Sequence, residues 1–329
     1  MQKISSILKN NQLKAYQAVN TILVETYWYI GKYIVDFEQD GKQKAIYGNE
    51  LLSTISKDLK TQYGKGFSKS NLYLMRQLYL KFPIFQTVSG KLSWSHYAEI
   101  LPVSNDLAFK FYLNQCEQEK WSVRELKRQI DSGLFERIAL SKDKKGVLSL
   151  AQEGQNISQP EDIIKNPYIF EFLNLPEKQN WLEKDLEDAL VNKLGQFLLE
   201  LGKGFAFVGK QYRITLDNTH FYIDLVFYHR ILKCFVLIEL KKGRVNHQDI
   251  GQMNLYLNYF KAEESTEGDN PPIGIVLGAD KNDILVEYAT AGITNQLFVS
   301  KYQLYLPNKE QLQKEVELLL NDSIQEIKD

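Results

Sequence analysis

The sequence predicts a mixed α/β protein, with an all-helical front half followed by a half in which helices flank a mixed sheet. Three observations lead there. Up to about residue 140, apolar residues recur at helical intervals. Beyond about residue 167 the texture changes to short runs rich in Phe, Val, Ile and Tyr, bounded by turn residues. A chain of 329 residues also exceeds what one hydrophobic core usually serves, so two domains are expected.

In the front half Ile22, Leu23, Ile30, Ile34 and Phe37 repeat at roughly helical spacing, with Tyr27 and Trp28 between them. NELLSTISKDLKTQY makes a second helix ending at Gly64, and Gly64-Lys65-Gly66 breaks the chain tightly. Ser68 is placed to cap a third helix, SKSNLYLMRQLYLKF, which Pro83 stops. LSWSHYAEIL runs to Pro102, and DLAFKFYLNQCEQEKW and SVRELKRQI follow. Residues 141–167 turn polar and weakly periodic and read as a connection between domains at 1–140 and 168–329. In the rear half LEKDLEDALVNKLGQFLLELG reads as one helix ended by Gly202. FAFVGKQYRITL, FYIDLVFYH and KCFVLIELKK read as three strands, and HQDIGQMNLYLNYFKAEE as a helix. PIGIVLGAD and NQLFVSKYQLYL are further strands, and KEQLQKEVELLLNDSIQEI closes the chain as a helix. The order α-β-β-β-α-β is a short antiparallel meander followed by a crossover.

A net charge of −1 conceals a division. Up to Lys145 the chain holds 22 Lys+Arg against 14 Asp+Glu, a net +8, and the remainder carries −9. A basic front suits contact with a polyanion, while faces that merely drift in charge are the plainer account. Between residues 57 and 91, Lys57, Lys60, Lys65, Lys69, Arg76, Lys81 and Lys91 meet one acid, Asp58. The two helices around Gly64-Lys65-Gly66 have the form of a helix-turn-helix, which makes Lys65, Lys69, Asn71, Arg76 and Lys81 candidate nucleic-acid contacts. The alternative is a helical bundle that docks on the nuclease domain or on a protein partner, with a homo-oligomer through this domain also open. Cys116 and Cys234 stand far apart without CxxC spacing, which excludes a disulfide framework and a cysteine zinc site. The N-terminus lacks the apolar core of a signal peptide and no run approaches membrane-spanning length, so a cytoplasmic protein is expected.

Two core-like strands carry charges that a core strand should not. Asp224 lies in the first, Glu239 in the second, and Lys241 two residues on. A turn centred on Ile231-Leu232 sets Asp224 directly opposite Glu239, and the period of two puts Lys241 on the Glu239 face. Opposed carboxylates beside apolar neighbours are destabilising. Protonation of one acid, a Lys241 ion pair, or a divalent cation between them each relieves the strain. Oxygen-only ligands favour a hard ion, Mg²⁺ or Mn²⁺, over zinc.

The pattern D-x14-E-x-K, running from one strand into its neighbour, resembles the PD-(D/E)XK nuclease superfamily. Ile223-Asp224 stands where that motif has Pro-Asp, and Glu239-Leu240-Lys241 matches (D/E)XK. Gln252-Met-Asn-Leu-Tyr256 looks like the Q-x3-Y motif of the RecB-like branch, its two ends sharing one helix face. The whole chain resembles the YhcG-like family, which joins a helical N-terminal domain to a PD-(D/E)XK domain. The blocks that carry this are GKGFSKSNLYLMRQLYLKFP, LSWSHYAEIL, WSVRELKRQI, FLLELGKGFAFVGKQYRI, FYIDLVFYHR, IELKKG, GQMNLYLNYF and PIGIVLG.

The resemblance implies a restriction-endonuclease-like core and a metal-dependent phosphodiesterase acting on DNA, with RNA left open. Asp224, Glu239 and the Leu240 carbonyl would hold Mg²⁺ or Mn²⁺, and Lys241 would position water or stabilise the phosphate. Glu187 occupies a place where the superfamily often has another acid, although Glu183 and Glu200 share its segment. Gln252 and Tyr256 would line the groove, and Tyr256 fits a core position as well. Gln211 and Arg213 alternate on one strand face and are candidate phosphate contacts, or a solvated edge pair. The rival from another class is a nucleic-acid-binding or partner-recruiting protein whose nuclease core is silent in isolation.

Two other signals fail on context. GFAFVGKQ spells G-x4-G-K, yet Gln211 follows the lysine where a phosphate-binding loop needs Ser or Thr, and the segment leads into a strand. His220, His229 and His247 bracket the hairpin without zinc-ligand spacing, and His96 reads as packing beside Trp94.

Overall fold

A computed structural model of the chain describes residues 2–40, 47–88, 90–175 and 182–325. Its contacts divide it into two units: Met1–Ile130 with Ala151–Gly154, and Asp131–Leu150 with Gln155–Asp329.

The front unit is helical. α1 (Gln2–Asp40) and α2 (Tyr47–Tyr63) are followed by a 3₁₀ turn over Lys65–Phe67 and by α3 (Lys69–Lys81). Ser68 caps α3 as expected, its hydroxyl accepting from the Asn71 N–H at 3.2 Å. α3 buries Leu72, Met75 and Leu78 and packs along α1. Gly31 makes that approach possible, since a Cβ there would lie 2.0 Å from the Met75 carbonyl oxygen. α4 (Trp94–Ile100), α5 (Asp106–Glu119) and α6 (Val123–Asp131) complete the bundle.

The expected connection over 141–167 is corrected. α7 (Leu134–Ala139) and α8 (Lys144–Glu153) run through and beside it. α8 buries Val147, Leu150 and Ala151, a helical triplet diluted in the sequence by polar neighbours, and Asp143 accepts from the Gly146 N–H at its start. Arg137 shows why α7 groups with the rear unit. Its wholly buried guanidinium donates to Glu200, to the Pro167 carbonyl at 3.1 Å and to Ser132.

Among the described residues the rear unit holds one six-stranded mixed sheet. Its strands are β1 (Tyr168–Ile169), β2 (Phe205–Leu216), β3 (Thr219–His229), β4 (Cys234–Arg244), β5 (Ile273–Asp280) and β6 (Gln296–Gln303). Their order across the sheet is β1-β6-β5-β4-β3-β2. β2, β3 and β4 form the expected antiparallel meander, and β4, β5, β6 and β1 are parallel.

The helix expected before β2 is two helices, α9 (Glu183–Asn192) and α10 (Leu194–Leu201). The chain leaves helical geometry at Lys193, whose ammonium reaches the Phe172 and Leu173 carbonyls. That tertiary contact has no local sequence signal. α11 (His247–Tyr259) makes the crossover, α12 (Asp283–Thr290) joins β5 to β6 and escaped sequence reading, and α13 (Lys309–Gln325) closes the described chain.

Two apolar layers cover the sheet. Leu225, Phe227, Ile238 and Ile275 pack with Leu186, Leu190 and Phe197 of α9 and α10. Ile223, Val226, Leu237 and Val276 pack with Ile250, Met253 and Leu257 of α11. Strand alternation holds along β4 and slips on β3 at Asp224, since Ile223 and Leu225 belong to opposite layers.

Candidate active site

The slip marks where two strands part. β3 and β4 pair from His229↔Cys234 up to Leu225↔Ile238, the register expected from the sequence. Beyond that point the recorded partners of β3 lie on β2, and those of β4 lie on β5. Asp224 stands on one lip of this divergence and Glu239 and Lys241 on the other. The Asp224 carboxylate accepts the Leu240 N–H at 2.8 Å, so a side chain takes up a backbone donor where the ladder ends.

Gln211 lies beside Asp224 on β2, at a left-handed φ of 47° that glutamine seldom adopts. Its amide donates to Asp224 at 3.0 Å and to Glu187 of α9 at 2.7 Å, tying the two acids together. Gln211 thus bridges the two carboxylates in this structure. Glu187 is buried, with one oxygen on Gln211 and the other without a partner. Burial first, and the Asp224 charge among further causes, push its pKa up. Asp224 is likewise raised by burial, against the pull of the Leu240 N–H and Lys241.

Glu239 is 3% exposed and one of its oxygens also lacks a partner. Burial and the Asp224 charge push its pKa up to about 8. Lys241 shares its face as expected, 3.5 Å from Glu239 and 3.7 Å from Asp249 of α11. Burial opposes the ammonium charge, but Glu239, Glu183, Asp249 and Asp224 outweigh it and raise its pKa. Asp249 is a site neighbour that sequence reading passed over. Its second role explains the disguise, because it accepts the Asn246 N–H in the capping box that starts α11.

The remaining candidates sort by geometry. Glu183 accepts the Lys242 N–H at 3.0 Å near the site, whereas Glu200 belongs to the Arg137 pair and the Ile169 N–H. Gln252 donates to the Tyr256 hydroxyl, so the Q-x3-Y pair is joined. Tyr256 takes the core position that the sequence also allowed. Its ring is fully buried in the α11 layer and its hydroxyl reaches the Tyr222 carbonyl at 3.3 Å. Arg213 stands exposed on the edge strand β2.

In the front unit Lys65 and Lys69 are exposed. Asn71 is engaged within the bundle, its amide joining the Gly66 carbonyl to the Trp94 indole N–H. Arg76 pairs with Glu38 at 2.8 Å, and Lys81 pairs with Asp106 at 2.6 Å and lies over the Phe109 ring. Both lysine and arginine are thus engaged within the bundle.

Comparison with known proteins decides the family. A family model for the YhcG PDDEXK nuclease domain matches residues 161–317, and one for the DUF1016 N-terminal domain matches residues 3–137. The chain is also 38% identical over 345 residues to the "Putative nuclease YhcG" of Escherichia coli (strain K12), covering 95% of this chain and 92% of that one. The chain belongs to the YhcG family of PDDEXK nucleases. Two solved structures share a weak likeness that carries no argument. A repair endonuclease from Pyrococcus abyssi has TM-score 0.28 and 15% identity over 40% of this chain and 50% of that one. The EndoMS–dsDNA2 complex has TM-score 0.27 and 16% identity over 41% and 50%.

PDDEXK nucleases generally use divalent metal ions. The YhcG-family site has a hard, all-oxygen donor set, with two buried carboxylate oxygens unpartnered, and this chemistry fits such an ion. Among the described residues, no three acidic, His or Cys side chains are gathered into a ready-made ligand set. Gln211 accounts for part of this, its amide standing between Glu187 and Asp224. Among the described residues no helix is long and apolar enough to cross a membrane.

Proposed function

We propose that this YhcG-family protein hydrolyses DNA phosphodiester bonds with Mg²⁺ or Mn²⁺, guided by its basic front unit. The observation that carries the proposal is the group at the parting of β3 and β4. Asp224 and Glu239 there have raised pKa values, and Lys241 is held between two acids. Asp224, Glu239 and the Leu240 carbonyl would hold the ion, with the buried Glu187 beside them. The ion supplies an activated water and neutralises charge on the phosphate.

The protein's own residues do the positioning. The Leu240 N–H and Gln211 fix the Asp224 carboxylate on one lip. Glu239 and Asp249 hold the Lys241 ammonium charged and aimed across the divergence, where it donates to a phosphate oxygen as negative charge develops. Gln252, which donates to Tyr256, would line the groove beside the scissile strand. Lys65, Lys69 and Arg213 supply phosphate contacts, since all three are exposed.

The test is cleavage of duplex, single-stranded and branched DNA, and of RNA, with Mg²⁺ or Mn²⁺. Asp224→Ala and Lys241→Ala are each expected to lower the rate by at least about 10²-fold while leaving the thermal midpoint within a few degrees. Equal binding of nucleic acid by wild type and both variants, with no cleavage by any, would assign the chain to the binding class instead.

A further inference from the structure

From Val24 onward α1 buries one apolar face, while a second apolar face stays exposed along the helix. Val24, Trp28 and Val35 are buried on the side that packs along α3. On the other side Ile4, Leu8, Val19, Ile22, Tyr33 and Phe37 are between 58% and 70% exposed. These six are not scattered. Leu8 and Val19 stand eleven residues apart, as do Ile22 and Tyr33, and Ile4 to Phe37 spans three such intervals. An eleven-residue period averages about 3.67 residues per turn, so the seam runs along the helix with little drift. It extends for about 50 Å. At roughly 100–150 Å² exposed per side chain, it offers ~700 Å², close to one partner's share of a standard stable interface.

Charge at the same interval says what covers it. Lys14, Glu25 and Asp36 follow one another at eleven-residue steps along one rim of the seam. Among the described residues Lys14, Glu25 and Asp36 make no ion pair. In a parallel pair of such helices this rim faces the opposite rim of the partner helix, so its charges do not meet one another. An antiparallel pair brings Lys14 beside Glu25 of the second copy, while Val19 and Ile22 meet near the centre. The rim is complementary to itself in that one direction.

We propose that α1 is a dimerisation element, which pairs antiparallel with α1 of a second copy about a twofold axis. The interface is isologous, so each dimer makes the Lys14–Glu25 pair twice. It delivers two nuclease domains per particle, and it depends on no assumption about the catalytic residues.

The experiment is mass by light scattering on the full chain at micromolar concentration, with the dissociation constant by sedimentation. The expected mass is twice the 38.2 kDa of one chain. Ile22→Glu, an exposed position, is expected to give the mass of one chain with its thermal midpoint kept. Lys14→Glu alone and Glu25→Lys alone are each expected to raise the dissociation constant about tenfold, by turning both symmetry-related contacts repulsive. Together the two changes restore the wild-type constant, which neither a parallel pair nor an unrelated partner surface predicts. A wild-type chain of single mass would leave the seam to a different protein and overturn the proposal. So would an Ile22→Glu chain that remains dimeric, or a double variant no tighter than the single ones.

Discussion

Glu239 is the residue whose protonation the site controls most strongly. Its folded pKa of about 8 lies above the ordinary 4.5. Between those values the folded chain keeps a proton that the unfolded chain has released, so stability falls as pH rises through the window, and the loss is complete above it. Asp224 and Glu187, also raised, act in the same direction. Without divalent ions the thermal midpoint is therefore expected to drop as pH rises from 6 towards 9, and Glu239→Gln to flatten the slope. An unchanged slope in that variant would place the titration elsewhere. Gln211 is the complementary test. Gln211→Ala removes the donor shared by Glu187 and Asp224 and should cost about 1–3 kcal/mol in metal-free buffer. The stabilisation produced by added Mg²⁺ should grow in the same variant, measured by thermal unfolding, because the acids then lack a substitute for the ion. Asp224, Glu239 and Lys241 were legible in the sequence because charges in apolar strands stand out. Gln211 and Asp249 were harder to read. Neither glutamine on an edge strand nor aspartate in a capping box is unusual until its neighbours are known.

At the scale of elements, caps and breakers marked most boundaries. Ser68 and Pro83 bound α3, Asn246 and Asp249 start α11, and the meander of β2, β3 and β4 appeared in order. The failures share a cause. α8 hides its buried triplet among lysines and glutamines, and the break between α9 and α10 depends on Lys193 reaching carbonyls about twenty residues away. The closest element contact leads to a sharp expectation. Gly31→Ala forces a Cβ against the Met75 carbonyl and must separate α1 from α3, at a cost of about 1–3 kcal/mol in the unfolding of the front unit. A variant as stable as wild type would mean that α1 shifts without penalty.

At the scale of the molecule, the front and rear units answer to different texts in the sequence, one helical and basic, the other apolar and acidic. Where the rear unit begins was not readable from composition. Arg137 lies ahead of the polar segment, yet it neutralises Glu200 in the rear core. Arg137→Ala removes the guanidinium from that buried carboxylate, an expected loss of about 3–5 kcal/mol. A rear fragment starting at Ser141, which lacks the arginine, should melt well below one starting at Asp131. Equal melting of the two would return the boundary to residue 140.

By itself the sequence determined the helical front, the sheet-bearing rear, the hairpin register and the charged positions in its two strands, because these rest on periodicity and local turn chemistry. Only the tertiary structure decided which acids meet, which lysine and arginine are already engaged, and which polar segment belongs to a core. Those outcomes depend on residues far apart in the chain competing for the same buried hydrogen bonds.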